Sequence, residues 1–307
     1  MMQGVPSGRY GRPMVSADQP TAPDLRTVGR VHRRLEPLHS HVYFAPETEE
    51  HLTATGLRPG RMVYFAGRAA AMGPVGPGVV TATFFNFSPA IVSRHVPRAW
   101  GLAAPEQVLA ARHEAARASL TRLLGGPEAA DGAEVHELAG LLQEACAALT
   151  PEGRPLYAAH ADLPWPTDPV LQLWHGVTLL REHRGDGHIA VLLRHGLSGL
   201  EALVTHTHTG RGFLRPAAQA TRGWSDAEWA AATAALAERG LVAGEGLTDD
   251  GVQLRTALER ETDELSAAPF AALGAERTER VGELAGALTG RLIGNGAFPA
   301  GVFAARG

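Results

Sequence analysis

The sequence predicts a mainly α-helical chain made of two similar units, each with a small β hairpin near its end. Three observations carry that expectation. Apolar residues recur at helical spacing through most of the 307 residues. Prolines and capping boxes mark helix starts, and glycines mark helix ends. The segment LTPEGRPL at 149–156 returns 98 residues later as LTDDGVQL at 247–254, each time after an alanine-rich run and before another helical one.

Composition is that of a globular chain, 45% hydrophobic and 20% charged. All 28 basic residues are arginine, which reflects a GC-rich coding bias more than phosphate recognition. The net charge of −4 argues against duplex DNA as the main partner. Cys146 is the single cysteine, so an internal disulfide is excluded and a cytoplasmic location is expected. There is no apolar run of membrane-spanning length.

In chain order, residues 1–27 are rich in Gly, Pro and Ser and are expected to form a flexible tail. A first unit is expected over 28–161, opening with a helix interrupted at Pro37. Pro46 starts the next helix with acids in its first turn, and Gly56 ends it. VVTATFFNFSPAIVSRHVPRAW has the composition of a strand, but its place between helices favours two short ones split at Ser88-Pro89. Helices follow over 105–124 and in EVHELAGLLQEACAAL. The prolines of 162–169 make a stiff linker. A second unit over 170–275 opens with helices at 170–184 and 188–196, parted at Gly185-Asp186-Gly187, with Asp186 as a candidate N-cap. Ser198…Glu201 and Ser225…Glu228 are capping boxes. LVAGEGLTDDG reads as a hairpin around Gly244-Glu245-Gly246, and a last helix near 276–290 leads into a tail ending at 307.

Helix, turn, helix, hairpin and long helix is the winged-helix order. WSDAEWAAATAALAERGLVAGEGLTDDGVQLRTALERETDEL resembles the MarR-type winged helix. The segments EPLHSHVYFAPE, ATFFNFSPAIV, LWHGVTLLREHRGDGHIAVL and RGWSDAEW together resemble an actinobacterial family known as helix-turn-helix proteins. The resemblance implies a tandem winged-helix architecture and carries no activity with it. The helix in the recognition position opens with Asp226 and Glu228, and the wing adds Glu245, Asp249 and Asp250. In the first unit EVHELAGLLQEACAAL takes that position, with Glu134, Glu137 and Glu144. Acids on both surfaces would repel phosphates, so DNA is an unexpected partner.

Chemistry concentrates in WHGVTLLREHRGDGHIAVLLRHG, residues 174–196. His175 and Glu182 are seven residues apart and share a helix face, with Thr178 between them. Glu182, His188 and His175 are the candidate catalytic groups for acid–base work. Arg181 and Arg184 are candidates to hold an anion, although the same charges could be an ion network joining the units. Tyr43, Phe85 and Asn86 are candidate ligand contacts within the first-unit aromatics, which could equally be core. His39-Ser40-His41 and His206-Thr207-His208 lack a third ligand at metal spacing, so no metal is assigned and no cofactor is specified. The function expected is binding of a small organic ligand on a winged-helix frame that has lost DNA binding, extending to acid–base catalysis in specialised metabolism. The alternative is a MarR-like ligand-responsive regulator. A homodimer is compatible with either.

Overall fold

The computed structural model describes residues 21–244 and 246–301, and the helices follow from their start signals. α1 (Leu25–Ser40) is capped by Asp24, whose carboxylate accepts from the Thr27 amide at 2.7 Å. It passes through a 3-10 turn at His41–Tyr43 into α2 (Pro46–Ala54). Then come α3 (Arg61–Ala69), α4 (Pro77–Phe84), α5 (Pro89–Ala99) and α6 (Pro105–Leu124). α2, α4, α5 and α6 all start on proline, whose missing N–H would have been unpaired there anyway. α7 (Pro127–Ala130), α8 (Ala133–Cys146) and α9 (Pro155–Ala161) complete this half.

The second half contains α10 (Pro169–Arg194), α11 (Gly199–Thr207), α12 (Arg215–Arg222) and α13 (Asp226–Glu238). Strands β1 (Val242–Ala243) and β2 (Gly246–Leu247) pair antiparallel, Val242 opposite Leu247. α14 (Asp249–Leu265), α15 (Ala268–Leu273) and α16 (Ala275–Gly294) follow. Both capping boxes form as expected. The expected tail lies outside the described residues up to position 20, and α1 begins inside its remainder. Glu245 and residues 302–307 also lie outside them.

Three expectations need correction. First, α10 is one unbroken helix of 26 residues and does not part at Gly185-Asp186-Gly187. Two glycines weaken a helix, but tertiary contacts hold this one. A Cβ on Gly187 would sit 2.5 Å from Arg154 Nη1, and that guanidinium bonds the His183 and Leu265 carbonyls. Asp186 caps a different helix: its Oδ2 accepts from the Leu156 and Tyr157 amides at 3.0 and 2.9 Å, at the start of α9. Second, the only hairpin among the described residues is β1–β2, because 149–156 forms a turn with Gly153 at positive φ and enters α9 directly. The repeated octamers are therefore helix-start signals in different settings. Third, α8 is no recognition helix. Val135, Leu138, Leu142 and Ala145 are buried, and Glu134, Glu137 and Glu144 pair with Arg291, Arg280 and Arg277 of α16.

Packing crosses between the halves. α1 lies along α16, and α10 lies along α8; α1 also meets α14, and α10 meets α6. Their shared faces form the main core, around Leu38, Leu120, Leu142, Leu173, Trp174 and Leu288. Each half also holds a helix trio. α3, α4 and α5 have nine, eight and eleven residues; α11, α12 and α13 have nine, eight and thirteen.

The two trios meet through their turns. The Ser88 amide donates to the Arg222 carbonyl at 2.9 Å, and Trp224 Nε1 donates to the Asn86 carbonyl at 2.9 Å. Phe85 has φ +56° and ψ −53°, and the Asn86 amide bonds the Phe84 carbonyl at 2.6 Å. This γ-turn with positive φ is a strained form, costing on the order of 1–3 kcal/mol. Gly199 is required beside it, since a Cβ there would lie 1.9 Å from the Phe85 carbonyl oxygen. Gly199→Ala is accordingly expected to cost about 1–3 kcal/mol by overpacking. An unchanged urea midpoint would mean that α11 does not seat against this turn.

Candidate ligand site

The site is organised by a buried carboxylate. Glu182, 1% exposed on α10, accepts a bidentate pair from Arg68 of α3, with Nε–Oε1 at 3.2 Å and Nη2–Oε2 at 2.9 Å. Arg181 Nη1 reaches the same Oε2 at 2.6 Å, and its Nε lies 3.7 Å from Glu36. Desolvation works to raise the Glu182 carboxyl, but Arg181 and Arg68 outweigh it and hold it well below the usual carboxylate range. The group is an anion fixed between guanidiniums, with no proton to give near neutral pH.

Behind it, Thr178 Oγ1 donates to the Trp174 carbonyl at 2.7 Å and so accepts from His39 Nδ1 at 3.0 Å. That assigns the His39 proton to Nδ1 and leaves Nε2 to accept from the Tyr43 hydroxyl at 2.9 Å. Desolvation keeps His39 neutral and pushes the Tyr43 phenol up to about 12. Arg112 of α6 lies 4.9 Å from the centre of the Trp174 ring, with Nη2 3.5 Å from the Tyr43 hydroxyl.

In front lies a cleft of about 280 Å³ beneath the two turns. Tyr64, Phe84, Phe85, Asn86 and Phe87 form its first-half wall, while His188 and Ile189 of α10 and Leu203 and His206 of α11 form the other. Arg68, Arg181, Arg222, Arg255 and Glu259 supply its charge. It opens past Arg181, Gly185 and His188 into a wider groove of about 1080 Å³ along α1 and α14. His188 Nδ1 lies 2.8 Å from Thr262 Oγ1, which donates to the Leu258 carbonyl at 2.6 Å. His188 therefore carries its proton on Nδ1 and presents Nε2 as an acceptor. Desolvation pushes both His188 and His206 down to about 4, so both rings are neutral at pH 7.

The candidate residues thus separate. Arg181, His188, Phe85 and Asn86 line the cleft. Arg184 lines the groove, tied to Asp263 at 2.8 Å and Ser266 at 3.0 Å. Tyr43 lines a third pocket of about 950 Å³ beside α2, which touches the cleft through Tyr64 and Arg68. Neither Glu182 nor His175 lines the cleft: Glu182 lies behind it on Arg68 and Arg181, and His175 is buried against Trp165, with ring centres 4.7 Å apart. Four arginines, Arg68, Arg112, Arg222 and Arg255, escape a motif-based reading. A usable signal was present for Arg112, which falls on the same helix stripe as Val108, Ala115 and Ser119. A cation on an apolar stripe needs a partner. Among the described residues no three His, Cys, Asp or Glu side chains converge as a metal site.

A helix-turn-helix family model matches residues 28–299. The chain belongs to this helix-turn-helix family. Neither a curated protein nor a solved structure matches it. The family match spans both trios and α10 between them, so the cleft of this helix-turn-helix protein lies wholly within the matched region. No described helix is long and apolar enough to cross a membrane.

Proposed function

We propose that the protein binds a small organic ligand between two MarR-like helix-turn-helix units, α3–α5 and α11–α13, which are closed upon each other. The packing of α1 on α16 and of α10 on α8 supports a pseudo-twofold in which each half's first helix lies against a helix near the other's end. An exchange that two subunits would make across a dimer axis is then made within one chain. The first unit has lost its wing, and only the second keeps β1–β2.

The observation that carries the proposal is the contact between turns. Ser88 caps α5, and its amide touches the Arg222 carbonyl three residues before Ser225, the cap of α13. Three residues of chain reach at most about 11 Å, so the base-reading ends of both helices lie within about 14 Å of each other. A twofold reader needs them about 34 Å apart, in successive major grooves. Closed in this way, the turns cover a cleft with an aromatic wall and a few convergent polar groups, the composition of a ligand site. Acid–base catalysis would rest on His188 Nε2, because Glu182 is committed to its arginines.

One feature favours the regulator as a second reading. α5 exposes Arg94 and Arg98 and carries no acid, whereas α13 exposes Asp226 and Glu228. A single major groove could accept α5 alone. Fluorescence anisotropy with mixed-sequence and host-genome duplexes separates the two. The closed arrangement predicts weak binding that vanishes by about 0.2 M salt. A sequence-specific complex that survives that salt and is abolished by Arg94→Glu would establish the regulator instead.

A further inference from the structure

We infer that the cleft takes a small organic anion, a carboxylate or a phosphate ester, held by Arg222 and Arg255 against the aromatic wall. The inference rests on the ligand-binding proposal and narrows it to a charge class.

Charge accounting within the cleft points that way. Glu182 satisfies Arg68 and Arg181 from behind. Glu259 is shared between Arg255, at 2.9 Å, and Arg184, at 3.3 Å. Arg222 has no carboxylate partner among the described residues, and the hydrogen bond it makes is Nη1 to Thr221 Oγ1. Its Nε is buried without a hydrogen-bond partner, and so is the Nε of Arg255. His188 and His206 add no charge, being neutral at pH 7. Arg222 is half-buried, and a guanidinium whose Nε is withdrawn from water with no counter-charge beside it is costly to keep, a cost that a bound anion removes.

Size and shape set the rest of the ligand. About 280 Å³ equals roughly nine waters at their share of liquid volume. That suits one ring bearing one acidic group. Arg222 stands 5.2 Å from the Phe87 ring centre and 4.3 Å from that of Phe213, so two aromatic rings already hold the guanidinium in place. A flat ligand can lie on Phe84 or Phe85 with its acid towards Arg222.

The test uses the full chain with benzoate, phenyl phosphate and the neutral benzyl alcohol. Binding is read by calorimetry and by the change in tryptophan fluorescence between the chain and its Trp224→Phe variant, the Trp224 indole being anchored on the Asn86 carbonyl. Expected is binding of at least one anion, with benzyl alcohol at least tenfold weaker; the better anion distinguishes carboxylate from phosphate. Arg222→Met is expected to lose at least tenfold in anion affinity while the free protein melts at a higher temperature, its uncompensated charge gone. Arg222→Lys should keep part of the affinity. If Arg222→Met does not fold, Arg255→Met carries the same affinity test. Equal binding of benzyl alcohol and benzoate, or unchanged affinity in the Met variants, overturns the anion assignment and leaves the cleft as a ligand site. Binding of none of the three overturns both.

Discussion

Acidification from pH 7 to pH 5 is expected to unfold this protein at room temperature, above the pH at which ordinary carboxylates protonate. His32, His41, His160, His175 and His183 are at most 6% exposed. Burial is the first cause of each shift, holding His32, His160 and His183 near 3 and His41 and His175 near 4. An unfolded histidine takes up its proton around 6.5. The unfolded chain therefore binds more protons between about 6.5 and 3, so stability is complete above that window and is lost as pH falls through it. At pH 5 each of the five costs about 2 kcal/mol. Together they approach the whole stability of a typical domain. His160 and His175 have in addition a buried Nε2 without a hydrogen-bond partner. Asp186 works the other way, since desolvation raises it to about 6, but at pH 5 it offsets less than one histidine. Melting temperature against pH checks this, and a flat profile from 7 to 5 would refute it. His160→Gln should remove about one proton from the slope.

The histidines also show how much of the molecule can be read from sequence. Helix starts at Pro46, Pro105, Ser198 and Ser225 were legible because capping chemistry is local. The β1–β2 hairpin was legible for the same reason. The continuity of α10 was not, because it depends on Arg154 and on the start of α9, both far away in sequence. The octamers at 149 and 247 match as strings, but the first turns directly into α9 whereas the second carries β2 into α14.

At the site, sequence reading gave the chemistry of 181–188 its importance but not its roles. Glu182 stands out as a carboxylate among arginines, and sequence cannot tell an accessible acid from a buried counter-ion. The difference is made by Arg68, more than a hundred residues away and inside what reads as an apolar helix. His188 lies only six residues further along α10, yet it faces the cleft.

Removal of the Glu182 charge is the other large effect expected. Glu182→Gln would leave Arg68, whose side chain is 8% exposed, without its counter-ion, and Arg181 with only Glu36 at 3.7 Å. Breaking a buried ion pair from one side costs about 3–5 kcal/mol, because the remaining charge stays desolvated. In a chain of this size that is a fall in melting temperature on the order of 10 °C. Arg68→Met alone is expected to cost less than Glu182→Gln, since Arg181 still holds the carboxylate at 2.6 Å. Combining the two substitutions removes one charge of each sign, so the double variant should be more stable than Glu182→Gln alone, with a coupling energy of at least about 1 kcal/mol. Arg68 stacks 4.3 Å from the Phe84 ring centre, and Met at that position retains apolar contact with it. Additive losses in the double-mutant cycle would mean that the pair is solvated in solution and that α10 is not joined to α3 by this ion cluster. Strong coupling would show that Glu182 holds α3 and α10 together and gives the cleft a rigid floor.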